Sequence, residues 1–276
     1  MKDNAGNIIL YNDELAGAEM LDILQNEGEW RVYEVIRIID GVPLFFEDHD
    51  SRMRNSIRLL GGEMADSEAV VRRRLEKLIS ALGGGNFNIK VLVFPKEGRQ
   101  CFLAYCSKSY YPSGQEVAEG VPTALFRWER SQPNIKLENL GYKESVARFM
   151  KEKDVFEALL LTADGKITEG SKSNVFFIKG RTVYTAPGEY VLKGITRQYI
   201  LDACANAGFQ VAEELKDAGF LEEIDGLFIS GTSIKVLPVS RVDKRTYNSS
   251  VNPVIVSIRD EYDRIIREYV ENHKHI

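Results

Sequence analysis

The sequence predicts a mixed α/β fold of the α+β type, divided into two domains. The chain has 276 residues, which is long for one small domain and short for three, so we expect two domains that share one cleft. Hydrophobic residues make up 44% of the chain, enough to fill the core of each domain. Strand and helix patterns are mixed along the sequence without strict alternation, which favours an α+β arrangement over a repeating parallel one.

The first domain is expected to cover residues 1–121 and to combine strands with two helices. β-Branched and aromatic residues predict strands at 7–11, 30–38, 42–46, 87–93 and from 101 onward. The hairpin turns Asp40-Gly41 and Lys96-Glu97-Gly98 join neighbouring strands. Apolar residues at helical spacing predict helices over 52–60 and 66–82, each ended by glycines. The arginines at 72–74 are expected to face water.

An interdomain crossover is expected over residues 122–134, with a strand at its start, and a larger second domain over 135–276. Helical patterns occur at 138–153, at 194–207 and from Asn252-Pro253 to near the end of the chain. Strand patterns occur at 158–162, 173–178, 182–185, 227–230 and 236–239. No internal repeat interrupts this order.

Charge and hydropathy exclude several classes of partner. The chain has 36 basic and 41 acidic residues and a net charge of −5, which argues against nucleic acid or an anionic membrane as the main partner. A small anionic ligand remains compatible with local basic groups. No apolar run approaches the length that spans a membrane, and the N-terminus lacks a secretion signal pattern. We therefore expect a soluble, cytoplasmic protein.

The cysteines and histidines do not predict a metal site. The three cysteines follow no metal-binding spacing and are expected to be reduced and interior: Cys101, Cys106 and Cys204. The three histidines are too scattered for a zinc site: His49, His273 and His275.

One acidic residue, Glu169, stands between a tight turn and a strand pattern. The turn is Asp164-Gly165, and the strand pattern runs through Asn174 to Phe177. This order places the carboxylate at the end of a strand pair. Taken alone, an acid near a turn is most often a solvated surface charge, so its role depends on what other segments bring to it.

A lysine that acts as an amine nucleophile must lose its proton near neutral pH, which requires a desolvated or cationic setting. Lys136 follows the stiff, apolar lead Pro133-Asn134-Ile135, and Arg127 and Arg130 precede it. Most lysines are simply solvated. Lys143 and Lys172 are equally visible candidates.

Three segments are suited to anionic oxygens. The helix start Gly194-Ile195-Thr196 offers backbone amides at a helix N-terminus, although helix capping alone would explain Thr196. Arg52 follows a strand, where its guanidinium could hold a phosphate bidentately. Gly231-Thr232-Ser233 offers two hydroxyls at a strand end, or is an ordinary turn.

An amine, a phosphate seat and an isolated acid together match the needs of pyridoxal 5'-phosphate. The cofactor needs a lysine to bind it, a cradle for its phosphate and an acid that keeps its pyridine nitrogen protonated. The combination therefore points to this cofactor more strongly than any single segment does.

The order of these segments resembles the class IV, or fold-type IV, pyridoxal-phosphate enzymes. This family includes branched-chain aminotransferases, D-amino-acid aminotransferases and aminodeoxychorismate lyases. The resemblance extends from VYEVIRIIDG to SGTSIKVLPVSRVD, and its most specific pieces are ITEGSKSNVFFI, LKGITRQYIL and SGTS. It implies a two-domain fold with the cofactor between the domains, and a homodimer.

The resemblance also implies roles for individual residues. Lys136 matches the cofactor lysine of the pattern R-x-x-P-x-x-K-x-x-N-L, which reads here Arg130, Pro133, Lys136, Asn139 and Leu140. Glu169 matches the acid that pairs with the pyridine nitrogen. The residues that match the phosphate-binding positions are Arg52, Ile195, Thr196 and Thr232. The substrate-binding positions are Tyr33, Thr232 and Ser233.

Several positions depart from the family pattern. The region before Tyr33 reads ILQNEGEW where the family has D-x-G-x-x-x-G, and Met53 replaces a usual leucine. Leu140 stands near the position of a tyrosine in the branched-chain enzymes, with Tyr142 as its candidate replacement. The arginine and histidine pair with which the D-amino-acid enzymes bind the substrate carboxylate is not evident around Val91 to Arg99.

The resemblance implies an aminotransferase that moves an amino group between an amino acid, of the branched-chain or D-amino-acid class, and a 2-keto acid. A second reading is a lyase on the same cofactor that converts 4-amino-4-deoxychorismate to aminobenzoate and pyruvate. A third is a non-catalytic homologue that only binds the cofactor.

Overall fold

A computed structural model describes residues 4–21, 30–130 and 132–274. Internal contacts divide the chain into two compact units. The first unit comprises Met1–Tyr110, Ile135–Glu138 and Ile266–Ile276, and the second comprises Tyr111–Asn134 and Asn139–Ile265. The segment ILQNEGEW, where the sequence departs from the family pattern, lies almost wholly outside the described residues.

The first unit contains an antiparallel sheet of six strands in the order β2-β1-β6-β5-β3-β4. The strands are β1 (Asn4–Tyr11), β2 (Glu14–Gly17), β3 (Val32–Ile39), β4 (Val42–Pro43), β5 (Phe87–Lys96) and β6 (Arg99–Ser107). Both predicted hairpin turns are present, because positive φ angles at Asp40-Gly41 and Glu97-Gly98 give the turn geometry that suits twisted strands.

Two helices cover one face of this sheet. They are α1 (Phe46–Leu59) and α2 (Glu68–Ala81). The Ser67 hydroxyl accepts a hydrogen bond from the Val70 amide and so begins α2. Helix α1 begins six residues before the predicted start at residue 52. Phe45, which has a left-handed φ of 54°, directs the chain from β4 into the helix.

Alternation along β3 sends its side chains to opposite faces of the sheet. Val32, Glu34 and Ile36 are buried on the face that packs against the helices. Tyr33 belongs to the other face, where it packs near Tyr105 of β6. A strand face that is otherwise apolar thus carries one buried acid, Glu34, beneath α1.

The segment Ile135–Glu138 runs along the start of β3. The Tyr33 amide donates to the Lys136 carbonyl over 3.0 Å, and the Glu138 amide donates to the Arg31 carbonyl over 3.1 Å. An isolated β-bridge joins Val32 to Leu137. These backbone bonds fix the position of Lys136 relative to Tyr33.

The second unit contains a ten-stranded sheet, ordered β12-β11-β10-β14-β15-β7-β8-β9-β13, with β16 paired to β15. The strands are β7 (Val121–Arg127), β8 (Glu157–Leu161), β9 (Lys166–Gly170), β10 (Asn174–Lys179), β11 (Thr182–Thr185), β12 (Gln210–Glu213), β13 (Lys216–Asp217), β14 (Gly226–Gly231), β15 (Lys235–Val242) and β16 (Arg245–Thr246). Parallel pairs, such as β7 with β8, occur beside antiparallel ones, such as β10 with β14.

The remaining α-helices are α3 (Gly114–Glu119), α4 (Leu140–Lys153), α5 (Ile195–Asn206) and α6 (Pro253–His273). Short 3-10 helices occur at Ala18–Leu21, Ala218–Glu222 and Ser249–Val251. Gly208 follows α5 with a φ of 71°, the left-handed geometry of a glycine that ends a helix. Among the described residues no helix is both long and apolar enough to cross a membrane.

The three cysteines are free thiols. Cys101 and Cys204 are buried, and Cys106 is half-buried. Burial raises the pKa of Cys204 to about 12, so this thiol stays protonated at neutral pH. Over the described part of the chain, no group of three or more histidine, cysteine or acidic side chains is placed to hold a metal ion.

The expectation that arginines 72–74 all face water is wrong for Arg74. Its side chain is 7% exposed and pairs with Asp66 over 2.5 Å and with Asp13 over 3.1 Å. Its guanidinium also lies 5.1 Å from the Phe102 ring centroid. The position of Arg74 on the buried face of α2 requires these partners, because an unpaired buried charge is costly.

Candidate active site

Lys136 is half-buried in the first unit, beside an aromatic ring. Its ammonium lies 4.9 Å from the Tyr33 ring centroid, within the range of a cation–π contact. The Lys136 amide also donates to the Ser56 hydroxyl over 3.5 Å. The structure therefore brings the predicted cofactor lysine and the predicted substrate residue Tyr33 together.

A second lysine, Lys90 of β5, lies on the same face of the sheet as Tyr33. Its ammonium is 5.4 Å from the Tyr33 ring centroid and 5.9 Å from that of Tyr105. Lys90 pairs with Glu138 over 2.7 Å, and the two side chains are 4% and 8% exposed. Arg31 is a further cation near Glu138, at 3.8 Å. These charged side chains form a wall beside Lys136, on a sheet face that also carries the buried aliphatic residues packed against Tyr33.

Arg52 is held by a buried carboxylate. Its Nε and one terminal nitrogen donate to the two oxygens of Glu34 over 2.7 and 2.5 Å. Nδ1 of His49 lies 2.8 Å from Oε2 of the same carboxylate, and since an ionised carboxylate only accepts, His49 donates. This bidentate pairing fixes the plane of the guanidinium.

Charge states within this cluster follow from burial and pairing. Burial alone would raise the pKa of Glu34, but the charge of Arg52 and the hydrogen bonds from His49 and Arg52 hold that pKa well below its usual range. Burial lowers the pKa of His49 and outweighs the effect of Glu34. At neutral pH the cluster therefore contains an ionised Glu34 and a neutral His49.

In the second unit, Glu169 is the penultimate residue of β9 and is buried, with 3% of its surface exposed. One oxygen lies 3.1 Å from a terminal nitrogen of Arg130. The other accepts a hydrogen bond from the Leu192 amide over 3.1 Å. A solvated surface role for this acid is therefore wrong.

A cavity of about 190 Å³ lies beside Glu169. Its walls include the side chains of Arg130, Pro133, Thr162, Thr168 and Tyr190. Within this unit, Arg130 and the Leu192 amide therefore bind the two carboxylate oxygens of Glu169. The cavity provides a small polar space next to the acid.

The start of α5 is an open helix N-terminus. Gly194 is its N-cap residue, and no side chain caps it, so the first amides of the helix lack intrahelical partners. Ile195 and Thr196 are both buried here. The Thr196 hydroxyl contacts the hydroxyl of Tyr262 on α6, and burial raises the pKa of that tyrosine. Thr196 therefore does not act as the cap that its position suggested.

Asn174 and Leu192 connect Glu169 with the start of α5. The Leu192 amide donates to Glu169, and the Leu192 carbonyl accepts from the Asn174 side chain over 3.1 Å. The Gly194 amide donates to the same carbonyl over 2.7 Å. A β-carbon at position 194 would overlap Oδ1 of Asn174, so this close approach requires glycine.

Thr232 and Ser233 form the half-buried turn between β14 and β15. Ser230, two residues before Thr232, is 1% exposed, and its hydroxyl has no hydrogen-bond partner among the described residues. Buried hydroxyls are usually paired. Ser230 also stands opposite Asn174 in the strand register.

The donor set of these residues fits pyridoxal 5'-phosphate. Within the second unit, an open helix start and hydroxyls at a neighbouring strand end are donors that suit a phosphate, and within the first unit the fixed guanidinium is another such donor. A single buried carboxylate suits a protonated pyridine nitrogen, and a half-buried lysine suits a covalent bond to an aldehyde. The buried Ser230 hydroxyl without a partner among the described residues is a further donor at the same strand end.

Tyr142, the candidate replacement for a family tyrosine, donates its hydroxyl to the Ser171 carbonyl over 3.1 Å. Its ring lies 5.3 Å from that of Trp128. Tyr142 therefore supports the turn that follows Glu169. Leu140 begins α4, and its side chain lies outside what the structure describes.

Sequence reasoning missed several residues that hold the predicted ones: Glu34, His49, Lys90, Glu138, Asn174 and Leu192. A signal existed for Glu34, because it is an acid on the apolar face of an alternating strand. Leu192 acts through its backbone, so no side-chain pattern could have indicated it.

Comparisons with known proteins agree with this geometry. Residues 31–242 match the model of the family described as Amino-transferase class IV. A D-alanine aminotransferase of Bacillus licheniformis is 31% identical over 232 residues, which cover 79% of this chain and 81% of the relative. A "Probable branched-chain-amino-acid aminotransferase" of Rickettsia felis is 29% identical and covers 86% of this chain and 87% of the relative.

Solved structures support the same fold. The branched-chain aminotransferase of the archaeon Thermoproteus uzoniensis with norvaline superimposes with a TM-score of 0.83 at 19% sequence identity, and the match covers 97% of this chain and 98% of that chain. A branched-chain amino acid aminotransferase from T.th. with pyridoxamine 5'-phosphate gives the same TM-score and coverage at 21% identity. The expected fold-type IV architecture is therefore confirmed.

Proposed function

Because this chain belongs to the class IV aminotransferase family, we propose that it transfers the amino group of a small or polar amino acid, of the D-amino-acid class, to a 2-keto acid. The expected family, enzyme class and cofactor are confirmed: the chain is a pyridoxal-phosphate-dependent aminotransferase. The proposal concerns its amino donor and the residues that act on it.

Pyridoxal 5'-phosphate, when bound, supplies an electron-withdrawing ring that stabilises negative charge at the substrate α-carbon. Lys136 would hold the cofactor covalently through Nζ, and the same Nζ would carry a proton from and to the substrate α-carbon. Tyr33, 4.9 Å from the Lys136 ammonium, restricts where that ammonium can move.

Glu169 keeps a proton on the pyridine nitrogen, which requires that the acid itself stay ionised. Arg130, at 3.1 Å, and the Leu192 amide supply a positive charge and a hydrogen-bond donor to its two oxygens. Ile195 and Thr196 supply backbone amides to the phosphate, and Thr232 supplies a hydroxyl. Ser233, together with Thr232, receives the substrate carboxylate.

Arg52 binds the phosphate with a guanidinium that Glu34 has already oriented. We expect Glu34→Gln to raise the Kd of the cofactor roughly tenfold, since one charge-assisted pair contributes about 1.5 kcal/mol. Equilibrium dialysis of the cofactor against the variant and the parent enzyme measures this change.

Asp50→Asn is the matched control for Glu34→Gln. Asp50 is also buried and pairs with Arg54 over 2.6 Å on the same helix, and we assign that pair no contact with phosphate. The orienting role of Glu34 is contradicted if both variants change the Kd equally, or if Glu34→Gln lowers only the unfolding temperature.

The charged wall beside Tyr33, formed by Lys90, Glu138 and Arg31, determines which substrate side chain fits. Lys90 and Glu138 form an ion pair that is almost fully buried, next to the residue that faces Lys136. An isobutyl or isopropyl side chain against this wall would cover the small part of the ion pair that still reaches water, without offering it a hydrogen bond. A methyl group covers less of that part, and a polar side chain can pair with it. This favours D-alanine-like donors over branched-chain donors.

A donor panel tests the proposed function. The purified enzyme is mixed with the D and L forms of alanine, glutamate, leucine and valine, and the change of the cofactor absorption band is followed before any keto acid is added. We expect the fastest change with D-alanine or D-glutamate. Conversion confined to L-leucine and L-valine contradicts the proposed donor and selects a branched-chain aminotransferase.

The same preparation distinguishes the aminotransferase from the lyase and from the non-catalytic homologue. Pyruvate release from 4-amino-4-deoxychorismate without an amino acceptor selects the lyase, which the aminotransferase relatives do not favour. Bound cofactor that no donor alters selects the non-catalytic homologue. The homodimer and the cytoplasmic location stay predictions, and light scattering of the purified enzyme checks the first.

A further inference from the structure

Glu157, a buried acid outside the residues already assigned, accepts hydrogen bonds from a turn. It is the first residue of β8 and is 4% exposed. Its Oε1 accepts from the Ala158 amide over 2.9 Å, from the Ser171 amide over 3.1 Å and from the Ser171 hydroxyl. Its Oε2 accepts from the Lys172 amide over 3.3 Å and the Ser173 hydroxyl over 3.0 Å.

Most of these donors belong to the connection between β9 and β10. Five donors shared by two oxygens replace the water that a buried carboxylate loses, so the turn and the acid stabilise each other. The end of β9 lies very close to Ser173, because a β-carbon at Gly170 would overlap the Ser173 hydroxyl oxygen. The Gly170 amide also donates to the Ser173 carbonyl over 2.7 Å.

The turn lies between two residues, Glu169 and Asn174, that both form hydrogen bonds with the backbone of Leu192. Glu169 precedes it and accepts from the Leu192 amide, and Asn174 follows it and donates to the Leu192 carbonyl. Leu192 lies two residues before Gly194, the N-cap of α5, and its carbonyl accepts from the Gly194 amide. The shape of the turn therefore sets the spacing between the acid and the amide that hold one backbone unit.

We infer that Glu157 is a positioning residue for the transamination site: by holding the turn at Ser171–Ser173, it fixes Glu169 and, through Asn174 and Leu192, the start of α5. The carboxylate of Glu157 thus fixes the positions of both the acid proposed for the pyridine nitrogen and the amides proposed for the phosphate. The inference rests on the proposed roles of Glu169 and of the α5 amides.

Glu157→Gln tests this inference, because an amide keeps the size of the side chain but cannot accept from all five donors. Hydrogen–deuterium exchange of the enzyme as purified is expected to rise in residues 170–173 and also in 190–196, a segment to which Glu157 makes none of its hydrogen bonds. Faster exchange confined to 170–173 overturns the inference, since it would show a purely local structural bond.

Turnover gives a second readout through a double-mutant cycle. We expect Glu157→Gln to lower kcat roughly tenfold in the parent enzyme and less than about twofold in a Glu169→Gln background, because residues that act through one another are not additive. Equal losses in both backgrounds overturn the inference. If the parent enzyme has no aminotransferase activity, the proposed function fails, and the exchange experiment still decides whether Glu157 positions the start of α5.

Two further variants control for a general loss of stability and for failure of Glu157→Gln to fold. Ser249→Ala is the matched control, because its buried hydroxyl accepts from the Leu227 amide at the far end of β14, and we expect it to lower stability without changing exchange in 190–196. Ser173→Ala removes one of the five donors, so it decides the question if Glu157→Gln does not fold. We expect it to produce the same exchange pattern at smaller amplitude, and unchanged exchange in 190–196 overturns the inference.

Discussion

Lys136→Ala is expected to abolish the absorption band of lysine-bound cofactor and to lower turnover by roughly 10⁴-fold, the upper range for loss of a general acid–base group. By the roles proposed for Lys136, the variant lacks both the amine that binds the cofactor and the base that moves the α-proton. Absorption spectra and steady-state rates with the best donor of the panel measure the two effects separately.

Lys143→Ala provides the control for this loss. Lys143 is a half-buried lysine on α4, and on sequence alone it was an equally visible candidate. We expect its replacement to leave both the band and the rate within about twofold of the parent enzyme. A band that survives in Lys136→Ala, or disappears in Lys143→Ala, would move the cofactor to another lysine.

Glu169→Gln is expected to lower kcat by roughly 10²- to 10³-fold, the range for removing one preorganised electrostatic partner of a developing charge. Glutamine cannot hold a positive charge on the pyridine nitrogen, so negative charge at the α-carbon loses its stabilisation. It also leaves Arg130 with a neutral partner. Single-turnover rates of the first half-reaction measure the effect without interference from product release.

Glu129→Gln is the matched control for the acid. Glu129 is an exposed residue on the wall of the same cavity, so its charge is screened by water. We expect its replacement to change the rate by less than about twofold. A Glu169→Gln enzyme with an unchanged single-turnover rate would remove Glu169 from the mechanism.

The local elements could be predicted because they depend on short-range patterns. β-Branched and aromatic residues predict β5 and β6, and Ser67 and Gly208 mark helix ends through their own local chemistry. The start of α1 could not be predicted, because the left-handed Phe45 depends on packing around it rather than on an intrinsic preference. Arg74 was misjudged for a similar reason, since its partner Asp13 lies 61 residues away.

The residues of the candidate site also fall into two groups: those that the sequence indicates and those that only the fold brings into place. Lys136, Glu169 and Thr196 could be indicated by motif order, because their residue types and spacing suit one cofactor. The sequence could not indicate the hydrogen-bond partners that fix the site residues in position. Glu34 meets Arg52 only when β3 packs against α1, and Leu192 contributes a backbone amide that almost any residue would supply. Such partners depend on tertiary contacts, which local sequence does not encode.

The most direct test of the proposed site asks which lysine carries the cofactor. Borohydride reduction of the purified enzyme converts the bond between lysine and cofactor into a stable amine, and peptide mass spectrometry then locates it. We predict the added mass on the peptide that contains Lys136 and on no other. A modified Lys143, Lys172 or Lys90, or an unmodified chain that still turns over its donor, would contradict the assignment of Lys136.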